Sequence, residues 1–163
     1  MKTVCGLILA LTLSTATVLQ AELPTKKVLT LGLAKRLVAA AEAEAKKRGA
    51  TVVIAVVDDS GQLILLERLD DTQVASVEVA IGKARTAAIF RRPSKEFEDQ
   101  VKNGRVAALA LPGATPLQGG IPITVEGKVI GAIGASGNSP QEDEQIALAG
   151  ATVTAAAVED EGR

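Results

Sequence analysis

The stretch at 51–58, TVVIAVVD, is a nearly unbroken run of β-branched side chains. Side chains along a strand alternate between the two faces of a sheet, so a strand that is apolar at every position has to be covered on both. The DDSG that follows turns the chain, and QLILLERL at 62–69 returns as the second arm of a hairpin. A second hairpin is expected from 121–125 and 129–136, around Glu126-Gly127-Lys128. Consecutive hairpins imply an antiparallel sheet, and strands apolar on both faces imply helices on each side. The expected fold is α+β in three layers.

The helices are readable from their ends. Thr30 is expected to cap a helix reaching about Arg48, with Leu31, Ala34, Leu37, Val38, Ala41 and Ala45 on one face and Gly49 ending it. The segment before it, 22–29, is expected to be mobile. Asp71 or Thr72 can cap a second helix running to about Phe90, and Ser94 starts a short polar one, KEFEDQVKN, closed by Gly104. Glu96, Glu98 and Asp99 look like a solvated face. The Gly- and Pro-rich 105–120 holds a short strand or an irregular loop. Ser139-Pro140-Gln141-Glu142 reads as a capping box opening a last helix to about Val158. Glu142, Asp143 and Glu144 suit the positive end of that helix's dipole.

Gly131, Gly134 and Gly137 recur every third residue ahead of that helix and invite a phosphate-binding reading. The spacing is not that of a dinucleotide fingerprint, and three carboxylates at the helix start would repel a phosphate. The better expectation is a strand thinned so that a helix or another subunit's backbone can approach closely. Asp58-Asp59-Ser60-Gly61 lacks the alternating ligands and closing glutamate of a calcium loop and reads as a plain turn.

Residues 1–21, MKTVCGLILALTLSTATVLQA, carry one charge, Lys2, then an apolar stretch, with Val18 and Ala21 at the positions of a cleavage site. That is the pattern of a secretory leader cut before Glu22, giving a periplasmic or secreted protein. Cleavage would leave 142 of the 163 residues, enough for one domain with a real core, and 17 basic groups against 19 acidic ones. With no basic stripe, and Phe90 and Phe97 as the aromatic residues, neither nucleic acid nor, after cleavage, a membrane is an expected partner. Met1 and Cys5 are the sole residues of their kinds, and the chain has no His, Trp or Tyr. The cleaved chain therefore offers no disulfide, no soft or imidazole metal ligand, and no His- or Cys-based nucleophile, and no metal site is expected. Carboxylates, amines, guanidiniums, hydroxyls and backbone amides remain.

The second expected helix has three faces. Val74, Val77, Ile81, Ala84 and Ala88 form a core stripe, and Glu78 and Arg85 face solvent. Ser76, Val79, Lys83, Thr86 and Phe90 make a mixed face that could line a cleft, where Lys83 would hold an anionic group, or could be an ordinary boundary with a snorkelling lysine. Arg68 and Asp70, at the end of the second strand, could reach the mouth of that cleft or pair with each other.

The segments LTLGLAKRLVAAAEAEAKKRG, VVIAVVDDSGQLILLERLD, VAIGKARTAAIF, PLQGGIPITVEGKVIGAIGASG and QEDEQIALAG together resemble the GlcG/HbpS family of haem-binding-like and haem-degrading-domain-like proteins, from about Leu29 to Ala157. The resemblance implies a profilin- or PAS-like sheet with helices on both faces, homo-oligomers, and a pocket near the GGIP loop and the GKART helix. It also implies haem or iron binding as a possible cofactor role, although His, Cys, Met and Tyr, the usual haem ligands, are missing here. The expected function is an exported small-molecule-binding protein. Lys83 would supply charge, Arg68 would clamp, and the Gly119 and Gly120 amides would donate hydrogen bonds to a guest between the second helix and the 113–120 loop. The alternatives are an enzyme in which Lys83 acts as a base or forms an imine, with Asp70 or Thr86 assisting, and a homo-oligomeric assembly protein without a ligand.

Overall fold

A computed structural model of the chain describes residues 23–154, so the expected leader and the expected extension of the last helix to about Val158 lie outside the described residues. The order is α1 (Leu31–Arg48), β1 (Val53–Asp58), β2 (Leu63–Arg68), α2 (Ser76–Phe90), α3 (Lys95–Lys102), a 3-10 turn (Val106–Ala110), β3 (Gly120–Val125), β4 (Lys128–Ser136) and α4 (Pro140–Ala151). The four strands form one antiparallel sheet in the order β2-β1-β4-β3, so each hairpin stays intact and β1 pairs with β4 between them. α1 and α4 cover one face and α2 the other. The expected three layers are present.

Local chemistry explains most element ends. Thr30 Oγ1 accepts the Leu33 amide, and Gly49, at φ 66°, closes α1 with its amide on the Ala45 and Lys46 carbonyls. Ser139 Oγ accepts the Glu142 amide and donates to the Glu142 carboxylate, with Pro140 in the first turn: the capping box is formed. In the DDSG turn, Asp58 Oδ1 accepts the Ser60 and Gln62 amides at 2.9 Å each.

α2 departs from expectation. It begins at Ser76, because neither expected cap performs that role. Asp71 is left-handed (φ 60°), and Thr72, buried, turns its hydroxyl onto the carbonyls of Leu69 and Val52. The phase differs too: Val74 is 71% exposed and Val77 and Ile81 only half-buried, while Ala80, Ala84, Ala87 and Ala88 face the sheet. Small residues are required there because the helix backbone lies almost on the strands. A Cβ on Gly134 would sit 2.5 Å from the Ala80 carbonyl oxygen, and one on Gly120 would sit 2.1 Å from that of Lys83. The thinned strand therefore admits a helix of its own chain.

Leu31, expected in the core, is 50% exposed. The segment before α1 is tethered: Leu29 is buried, Lys26 pairs with Asp59, and Lys27 pairs with Glu126 at 2.6 Å. Glu98 is not solvated, since its carboxylate accepts the Gln118 amide and pairs with Lys102. Of the two expectations for 105–120, the irregular loop holds: it contains the 3-10 turn, and strand begins only at Gly120.

Candidate functional site

Lys83 lies near the middle of α2, between Ala80 and Ala84, which press against the sheet, and its side chain runs along the helix–sheet seam. It reaches past the start of β3 and the end of β4. There its Nζ donates to Asp143 Oδ2 at 2.7 Å and to the Ala135 carbonyl at 3.0 Å. Asp143 is in the first turn of α4, on the opposite side of the sheet, and both residues are almost wholly buried. The pair links the two outer layers. Burial is the largest influence on Asp143 and holds its carboxyl above the usual carboxylate range; Lys83 and the backbone amides of Asn138 and Gly137 pull it the other way. Gly119, at φ 123°, closes over the pair: a Cβ there would lie 3.1 Å from Lys83 Nζ and 2.9 Å from the Ala135 carbonyl oxygen.

The pair forms the floor of a cleft of about 210 Å³, walled by Ser76 and Val79 of α2, Gln118 of the loop, Ser136 at the end of β4, and Asn138 and Pro140 at the start of α4. The loop wall is held from below. Ser94 Oγ donates to the Leu117 carbonyl at 2.6 Å and accepts the Gly120 amide at 2.8 Å. Gln118 is pinned at both ends, its amide on Glu98 and its side-chain nitrogen on Glu144 Oε2 at 2.7 Å. Among the described residues, Ser76 Oγ and Thr154 Oγ1 are the buried side-chain polar atoms without a hydrogen-bond partner. Of these, Ser76 lines the cleft.

The residues singled out from sequence divide as follows. Lys83 lines the cleft, with Gly119 and Gly120 adjacent to it, but the Gly120 amide is already taken by Ser94 Oγ. Thr86 is fully buried and works structurally: its hydroxyl donates to the Gly82 carbonyl and accepts the Thr115 amide at 2.7 Å, tying the loop to α2. Arg68 and Asp70 do not pair. They line a separate hollow of about 530 Å³ with Glu42 and Lys46, and Arg68 donates to the Thr72 carbonyl at 2.5 and 3.0 Å. Arg68 thus bears on the cleft only by holding the connection between β2 and α2. Asp143 was hidden in an acidic run. Its signal was helical phase, since it shares a face with Ile146, Ala147 and Gly150, all buried in α4.

This arrangement does not leave Lys83 a free nucleophile. Two of the three Lys83 protons have partners, one of them a carboxylate, so attack on a carbonyl would first require breaking a buried ion pair.

Residues 29–152 match the family model described as haem degrading protein HbpS-like. The chain belongs to the HbpS-like family. GlcG of Escherichia coli K12 is 44% identical over 112 residues, 69% of this chain and 84% of GlcG. Among solved structures, a double mutant of HbpS from Streptomyces reticuli superposes with a TM-score of 0.76 at 33% identity, covering 87% of this chain and 97% of that one. PduOC, solved as a haem complex, gives a TM-score of 0.71 at 27% identity, covering 77% of this chain and 94% of PduOC. The HbpS-like fold and the α+β class are therefore established. The haem of the family does not suit this cleft. A pocket for an ordinary drug-sized ligand occupies about 300–1,000 Å³, and a porphyrin is at the large end of that class. None of the described residues is a His, Cys, Met or Tyr that could take an axial position on iron.

Proposed function

We propose that this HbpS-like protein is an exported small-molecule-binding protein whose cleft beneath the start of α2 takes a small polar guest. The observation that carries the reading is Ser76: a hydroxyl buried without a partner costs about 1–3 kcal/mol, and a guest in the cleft would satisfy it. The walls are pinned through Ser94, Thr86 and Gln118, so a guest need only displace the turn over the buried Ser76 hydroxyl. The leader pattern of residues 1–21 supports export to the periplasm or medium, and assembly into homo-oligomers belongs to the same reading on the strength of the family resemblance.

Native mass spectrometry of the exported protein tests it. The expected result is a retained or exchangeable guest of low mass in the wild type, absent from a folded Ser136→Phe variant whose ring fills the cleft. A wild type that takes up nothing from a metabolite extract and matches the variant would overturn the proposal.

A second reading, haem held without a side-chain nitrogen or sulfur on iron, has the haem complex of PduOC in its favour. A hollow large enough is at the other end of the sheet, about 800 Å³, bordered by Lys26 and Lys27, which are paired with Asp59 and Glu126, and by Arg91 and Lys128. Absorption titration with haemin separates the readings: saturable uptake that Arg91→Glu weakens, and Ser136→Phe does not, would favour this one.

A further inference from the structure

We infer that the guest of the cleft is a short-chain aliphatic carboxylate whose oxygens are received between Ser76 and Lys83, an assignment that rests on the binding reading above. Four features of the wall lead to it. First, the charged acceptor of the floor is already engaged on both oxygens. The one carboxylate of the floor, Asp143, takes Lys83 Nζ on Oδ2 and the Asn138 amide on Oδ1. Donors are left over: the Ser76 hydroxyl, which has no partner, and the third proton of Lys83. A guest that only accepts hydrogen bonds completes this set, and a carboxylate is such a guest.

Second, two helix N-termini open onto the cleft and they are not equivalent. That of α4 is neutralised by its own side chains, through Ser139, Glu142 and Asp143. That of α2, fifteen residues long, follows Ala75, whose methyl group cannot cap it, and its first-turn acid, Glu78, is exposed to solvent. The Ser76 and Val77 amides turn back onto the Gln73 and Val74 carbonyls, so the positive end of the α2 dipole acts on the cleft, at the turn that carries Ser76, through its field rather than through those amides. Third, Val79, Leu117 and Pro140 supply an apolar wall, which suits an alkyl chain. Fourth, about 210 Å³ is room for roughly seven water molecules, which limits the guest to a few carbon atoms.

Amide-resolved NMR titration of the purified protein, at constant ionic strength, with sodium propionate and with propionamide is the test. The expected result is saturable shifts at Gln118, Gly137 and Asn138 with propionate and much weaker ones with propionamide, and a dissociation constant for propionate raised about tenfold by Ser76→Ala. Ser76→Ala removes a buried hydroxyl that has no partner, so its melting temperature should be equal to or above that of the wild type; this separates loss of binding from loss of fold. Equal affinity for propionamide, or for another neutral guest while propionate is inert, would overturn the carboxylate assignment and leave the cleft a binding site. Shifts confined to exposed lysines and unchanged by Ser76→Ala would also overturn it. If neither probe nor a wider panel of neutral guests moves the cleft amides, the binding reading falls, and this one with it.

Discussion

Ile133 and Gly134 are neighbours on β4 that look into different halves of the molecule. Ile133 enters a core of large side chains, Leu37 and Val38 of α1, Ile54 and Val56 of β1, and Ile146 of α4. Gly134 meets α2 backbone to backbone, among Ala80, Ala84 and Ala132, with no large side chain between. The first half is held by apolar volume. The second is held by contact of main chains, by small apolar clusters around Val53 and Val57 and, at its end, by one buried ion pair. Stability and function are thus divided between the faces: the thick layer supplies hydrophobic burial, and the thin one brings Lys83 and Ser76 to a defined place beside the sheet.

The difference can be probed in order of expected effect. Lys83→Met strikes the thin side hardest, because it leaves Asp143 buried without its partner; loss of about 3–5 kcal/mol is expected in denaturant unfolding. The loss should depend on pH in a definite sense. Asp143 is held above its ordinary value, so the folded chain binds that proton at a higher pH than the unfolded chain does. Its contribution is most favourable in acid and declines as pH rises through the folded value. Lys83 pulls that value down, so its removal extends the protonated range, and the deficit of Lys83→Met should shrink as pH is lowered from 7 towards about 5. A deficit that grows in acid would contradict this account. On the thick side, Ile133→Ala should cost about 3 kcal/mol through a cavity. Gly134→Ala adds a single methyl one residue away and should cost about 2 kcal/mol through overpacking, with a lowered melting temperature although a strand normally prefers alanine. If Gly134→Ala were neutral, the close approach of α2 would not be a packing constraint.

What could be read from the sequence was local or periodic. Thr30 and Gly49, Ser139 with Glu142, and the alternation of the hairpins announce themselves within a few residues, and the sheet and outer helices follow from them. The start of α2 could not be read this way, because Thr72 hydrogen-bonds to Val52, twenty residues away, rather than capping its own helix. The core face of α2 was misjudged for a related reason. Large aliphatics such as Val74 dominate any reading of hydrophobic periodicity, whereas this interface selects for smallness. The site was half legible: the mixed face of Ser76, Val79 and Lys83 pointed to a cleft. Asp143 stands apart from Glu142 and Glu144 in the sequence only by helical phase, and the fold then sends the three to different partners, Lys83, Ser139 and Gln118.

Contact without intervening side chains has a mechanical consequence for α2. A helix cushioned by leucines can slide or tilt as rotamers exchange; one resting directly on glycine-lined strands has no such bearing and behaves as a fixed rail. Any breathing needed to admit or discharge a guest then falls to the segment 111–117, whose attachment to the rail at Thr86 and Thr115 acts as the latch.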